Sequence, residues 1–156
     1  MSITTRQLHP LFVGEVRGID LREPADASTV DAMVAACDRY AVLVFPDQSI
    51  DDDQQMAFSE RLGPLETTIK KLRPGHRLRL SQRVSDISNL DPQGQVLASD
   101  DRNRMYGLGD RLWHTDSSFK RVPAKYSLLS ARQIPAAGGE TQFADLRAAY
   151  DALPDE

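Results

Sequence analysis

Ala41-Val-Leu-Val-Phe45 is a continuous apolar run closed by Pro46-Asp47. Five residues are too few for a buried helix, so the run reads as a strand covered on both faces. Such a strand needs a layer on each side, and helical patterns flank it. Ser28 or Thr29 can cap a helix whose apolar face is Val30, Met33, Val34 and Cys37, at offsets 0, 3, 4 and 7. Asp51 caps a second helix, with Gln54 placed to complete a capping box and Gly63-Pro64 to end it. Upstream, Phe12 to Leu21 alternates as a strand and leads into a turn at Arg22-Glu-Pro24.

The rest of the chain reads differently. Thr67 to Arg83 carries Lys70, Lys71, Arg73, Arg77, Arg79 and Arg83 with no acidic residue and no clean period, which predicts a long, mobile basic loop. Val84 to Leu90 and Gln95 to Ala98 flank Asp91-Pro-Gln-Gly94 as a hairpin. Asp100 to Asp110, with Gly107 and Gly109, reads as a loop. Tyr126 to Ile134 and Glu140 to Ala144 read as strands on either side of a Pro135-Ala-Ala-Gly-Gly139 turn. Asp145 caps a last helix bearing Leu146, Ala149, Tyr150 and Leu153. Early helices followed by strands predict an α+β, β-rich layout feeding a β-sandwich or barrel.

Composition narrows the classes of function. The chain has 156 residues, enough for one domain with a core, and its 40% hydrophobic and 27% charged residues are those of a soluble globular protein. A net charge of -4 argues against a general nucleic-acid binder. No apolar stretch is long enough to span a membrane, and Met1 to Pro10 lacks a secretory pattern. The single cysteine, Cys37, cannot form an internal disulfide, so a reducing cytoplasm is the expected setting. On a predicted apolar helix face it reads as a buried, inert thiol.

The segment with chemistry in it is Leu112-Trp-His-Thr-Asp-Ser-Ser-Phe119. In an extended chain, residues two apart project to one side, so His114 and Asp116 present an imidazole beside a carboxylate. With a third ligand from elsewhere they would form the two-His, one-carboxylate face of non-haem Fe(II) oxygenases, which leaves metal positions open. A His-x-Asp pair taken alone is more often incidental. Other motifs fail: Asp51-Asp52-Asp53 lacks the glycine and glutamate of a calcium loop, and Gly107-x-Gly109 does not link a strand to a helix.

Wider blocks raise the weight of that pair. Trp113-His-Thr-Asp116 with Ser117-Ser-Phe119, Tyr126-Ser-Leu-Leu-Ser130, Pro135 to Asp145, and Arg147-Ala-Ala-Tyr-Asp-Ala-Leu153 together resemble the taurine / 2,4-dichlorophenoxyacetate dioxygenase family. Leu8-His-Pro-Leu-Phe12, Ile19-Asp-Leu-Arg22, Val42 to Phe45, Gln54 to Phe58 and Gly63-Pro-Leu-Glu66 fit it too, in order along nearly the whole chain. Asp86-Ile-Ser-Asn89 and the Asp-Ser-Ser-Phe block resemble the dichlorophenoxyacetate branch most.

The resemblance implies a double-stranded β-helix, a jelly-roll variant, incomplete in this chain. It implies iron held by His114 and Asp116, with Thr141 donating to the carboxylate of 2-oxoglutarate. It implies O2 as co-reactant, and ascorbate is a candidate reductant. Lys71, or Lys70 beside it, falls near a lysine that meets the substrate carboxylate, and Ser117 is a further substrate-contact candidate. A second family lysine, in the hairpin after Gly94, is replaced here by Gln95. The family's third iron ligand, a histidine, and its 2-oxoglutarate arginine lie beyond Glu156; His9 and His76 match neither.

We therefore expect residues 1–156 to be the N-terminal part of a single dioxygenase domain. Its substrate would be a small anionic molecule such as an aryloxyacetate, with no nucleic-acid or membrane partner; assembly as a homo-oligomer stays open. A sulfonate, alkyl sulfate or aryloxypropionate is the alternative substrate. A non-catalytic binding module is the alternative of another class.

Overall fold

The computed structural model describes residues 2–66, 79–81 and 83–154. They fall into two compact units, Met1–Gly63 with Ser130–Glu156, and Pro64–Leu129.

The first unit is built on a three-stranded sheet in the order β1-β2-β3, from β1 (Thr4–Gln7), β2 (Gly14–Arg17) and β3 (Leu43–Val44). β1 pairs antiparallel to β2 from Thr4↔Arg17 to Gln7↔Gly14, and β2 pairs parallel to β3 at Gly14↔Leu43 and Glu15↔Val44. Parallel neighbours need a crossover, and helix α1 (Ala27–Tyr40) supplies it. β1 was not visible in the sequence because Thr-Thr-Arg-Gln has no apolar alternation; all four residues are exposed on the sheet edge.

Two sequence expectations for this unit need correction. α1 is capped by Asp26, not Ser28 or Thr29: the Asp26 carboxylate accepts the Thr29 amide at 2.7 Å. Its buried face is Thr29, Met33, Ala36 and Tyr40, with Val30, Val34 and Cys37 half-buried beside it. The Ala41–Phe45 run yields only the two-residue β3, and Val44 is exposed. A covered strand needs a layer on both faces, and Val44 has none among the described residues.

The core under the sheet is Val16, Leu21, Ala25, Met33, Ala36, Tyr40, Ile50 and Phe58, with Val16 and Met33 no more than 2% exposed. Phe45 meets Phe58 edge-on at 6.1 Å between centroids. Gly14 is required by closeness: a Cβ there would lie 2.6 Å from Tyr40 Cδ2. Helix α2 (Asp52–Leu62) forms as read, with the Asp51–Gln54 capping box reciprocally bonded and Gly63 at its end.

The remainder of this unit holds an irregular segment and α4 (Leu146–Asp151), capped by Asp145 as expected. Tyr126–Ile134, whose first four residues belong to the second unit, and Glu140–Ala144 form no ladder among the described residues, contrary to the strand reading. Alternation reports a face that could be buried, yet Leu129, Ile134 and Phe143 are exposed here. Two arginines fix the segment's ends. Arg132 reaches Asp52 at the start of α2 (2.9 Å). Arg147 donates to the Asp38 carbonyl near the end of α1 (2.6 Å), where a cation is favoured.

In the second unit the predicted hairpin reduces to one antiparallel bridge, Leu90↔Val96, around a turn in which Asp91 accepts the Gln93 and Gln95 amides at 2.8 Å. The expected 100–110 loop is instead α3 (Arg102–Gly107) followed by a 3-10 turn, Leu108–Arg111. Asp101 caps α3 through the Asn103 and Arg104 amides, a cap overlooked because Gly107 and Gly109 were read as loop residues. Among the described residues no helix is long and apolar enough to cross a membrane.

Candidate metal centre

The 3-10 turn delivers the key segment. Leu112 leaves it extended (φ −88°, ψ 145°), and Trp113 to Asp116 follow in the second unit. The segment makes no strand pairing among the described residues. Its two candidate ligands nevertheless converge. His114 Nε2 lies 3.3 Å from Asp116 Oδ1, with the side chains 50% and 58% exposed. Two ligand atoms at ~2.1 Å from one ion and at right angles stand about 3 Å apart, so this separation suits adjacent positions on one metal.

The imidazole is also oriented. Nδ1–H donates to the Leu112 carbonyl at 2.7 Å, which in the neutral ring leaves the Nε2 lone pair on the Asp116 side. That backbone bond is the main cause of a His114 pKa raised above the usual imidazole value, with Asp116 adding to it. A proton and a metal ion would compete for the same nitrogen. The donor set, one imidazole nitrogen and one carboxylate oxygen, fits Fe(II). No group of three or more metal-binding side chains occurs among the described residues, so these two form a partial face.

Ser117 follows at once with φ +55°, a left-handed conformation that costs a non-glycine residue roughly 1–2 kcal/mol. Its hydroxyl donates to Glu66 Oε2 at 2.8 Å, and Lys120 Nζ reaches the same oxygen at 2.8 Å. The Lys120 ammonium, and after it the Ser117 hydroxyl, holds the Glu66 carboxyl below the usual carboxylate range. The Lys120 amide closes a turn on the Ser117 carbonyl at 2.9 Å. Sequence reading missed Glu66 and Lys120. Glu66 is 51 positions from Ser117, and nothing in Gly-Pro-Leu-Glu66 announces the pairing.

Thr141 belongs to the first unit, exposed on the irregular stretch between the Arg132 and Arg147 anchors, just after Gly138 and Gly139 with φ of +74° and +78°. Lys70 and Lys71 lie outside the described residues, as does most of the basic loop. Of that loop's described cations, Arg79 grips Asp86 with two hydrogen bonds, at 2.7 and 2.8 Å. His9 packs on Phe12 and accepts the Leu11 amide, so it serves a local turn in the first unit.

The sequence profile described as "Taurine catabolism dioxygenase TauD, TfdA family" matches residues 4–156. The chain belongs to this family. Among curated TauD/TfdA relatives, it is 44% identical over 156 residues to the alpha-ketoglutarate-dependent 2,4-dichlorophenoxyacetate dioxygenase of Cupriavidus pinatubonensis, covering 99% of this chain and 54% of that protein. It is 38% identical over 151 residues to the (S)-phenoxypropionate/alpha-ketoglutarate-dioxygenase of Sphingobium herbicidovorans, covering 96% of this chain and 47% of that one. Among solved structures, AAD-2 in complex with Mn(II) and N-oxalylglycine superposes with a TM-score of 0.86 at 48% identity, over 99% of this chain and 51% of that one. The chain spans about half the length of the curated relatives it matches.

Proposed function

We propose that this chain is the N-terminal part of an Fe(II)- and 2-oxoglutarate-dependent dioxygenase acting on a small anionic substrate, foremost an aryloxyacetate. The observation that carries the reading is the convergence of His114 Nε2 and Asp116 Oδ1 at 3.3 Å, with the ring fixed by Leu112. The names of the relatives, dichlorophenoxyacetate and phenoxypropionate dioxygenases, support the substrate class. In this reading the complete domain is a jelly roll in a reducing cytoplasm.

His114 and Asp116 would hold the iron and leave room on it for cosubstrate and O2. Iron held there, with 2-oxoglutarate and O2, would supply an oxidation that yields succinate, CO2 and a hydroxylated substrate, one oxygen atom going to succinate and the other to the substrate C–H bond. On an aryloxyacetate the product is a hemiacetal, which collapses to a phenol and glyoxylate. Thr141 donates its hydroxyl to the 2-oxoglutarate carboxylate. Lys71, or Lys70, meets the substrate carboxylate, a charge-assisted contact that favours anions. Gln95 in place of a family lysine keeps aryloxypropionates as the second reading, and the phenoxypropionate relative favours that one.

The test uses the intact polypeptide that carries this sequence. Chelation should abolish phenol release from 2,4-dichlorophenoxyacetate, and added Fe(II) should restore it. Equal turnover with and without chelator contradicts the proposal.

A further inference from the structure

One carboxylate oxygen closes the turn behind the candidate iron aspartate at both ends. Glu66 Oε2 takes the Ser117 hydroxyl at 2.8 Å and faces Lys120 Nζ at 2.8 Å, while the Lys120 amide bonds the Ser117 carbonyl at 2.9 Å. Ser117 is the residue next to Asp116 and sits at φ +55°, a left-handed conformation that is uncommon and mildly costly for a non-glycine residue. Glu66 comes from just beyond the end of α2, and the turn from 51 positions later, so the clasp is a long-range contact within the Pro64–Leu129 unit. The direction in which Asp116 projects depends on the backbone that follows it.

We infer that Glu66 is a positioning residue for the metal site: by clasping Ser117 and Lys120 it fixes the turn that aims Asp116 at the ion shared with His114. The inference rests on the iron-site reading above. It gives the Ser117 hydroxyl a role in holding this turn rather than in contacting substrate. Outer-shell partners of metal ligands commonly change metal affinity by roughly 10- to 100-fold when removed, and Glu66→Ala should fall in that range.

The experiment measures Mn(II) affinity by electron paramagnetic resonance on the intact polypeptide, with no turnover needed, alongside thermal unfolding. Wild type, E66A, E66Q, S117A, the E66A/S117A pair and H114A are compared. The expected result is roughly 10-fold or greater weakening in E66A and S117A at unchanged unfolding temperature. The double variant should be no weaker than the worse single one, because both remove one clasp. E66Q, which can still accept the Ser117 hydroxyl, should recover part of the affinity. Wild-type affinity in S117A and E66Q, with H114A defective, overturns the clasp and leaves the iron-site reading standing; that comparison holds even if E66A does not fold. No loss of affinity in H114A overturns both. If S117A instead raises KM for the aryloxyacetate at unchanged Mn(II) affinity, the hydroxyl serves the substrate and the inference fails.

Discussion

At the scale of single residues, the proposed chemistry turns on two side chains and what orients them. His114 is held through Nδ1 by a carbonyl of its own segment, so ring orientation is local. The i, i+2 spacing of His114 and Asp116 made their pairing legible in the sequence, whereas the Glu66 contact to the next residue was not. Periodicity reports neighbours along a strand or helix, and it is silent about a partner 51 positions away. H114A and D116A should each lower 2-oxoglutarate-dependent turnover by roughly a thousandfold or more, because each removes part of the metal's several-kcal/mol contribution. Steady-state succinate release reads this directly. Gly14→Ala is a residue-scale prediction of another kind: its Cβ would meet the Tyr40 ring at 2.6 Å. Overpacking of that kind costs about 1–3 kcal/mol, to be read by chemical denaturation.

At the scale of elements, caps decide where helices begin. The Asp51–Gln54 capping box was readable because both partners are local, and D51A should lose about 1 kcal/mol in a urea titration. Asp26 does not stand out in the sequence because Ser28 and Thr29 beside it are equally good cap types. The Thr29 side chain and amide, with Ser28, hold the Asp26 carboxyl well below the usual carboxylate range. A depressed folded-state pKa means its contribution is complete above the unfolded value near ~3.9 and is lost as pH falls below that towards the folded one. Asp26→Asn should therefore flatten the acid limb of the stability profile while retaining the cap. A steeper acid limb in the variant contradicts this.

At the scale of the whole molecule, α1 and α2 were legible because each carries an apolar face that other described residues cover, whereas α3, with no buried residue, was not. The strands expected over Tyr126–Ile134 and Glu140–Ala144 were not realised among the described residues. Leu129, Ile134 and Phe143 in those segments, and Leu146, Tyr150 and Leu153 on and after α4, are exposed. A pattern can announce a face to be buried without supplying what buries it. Family membership came through because many short blocks recur in order, a signal that does not depend on any single element being paired.

The most direct test of the central claim is Mn(II) or Fe(II) binding to the intact polypeptide with 2-oxoglutarate present, compared with H114A and D116A. The expected result is one ion per chain in the wild type and a loss of binding in each variant. Wild-type affinity in both variants would contradict it.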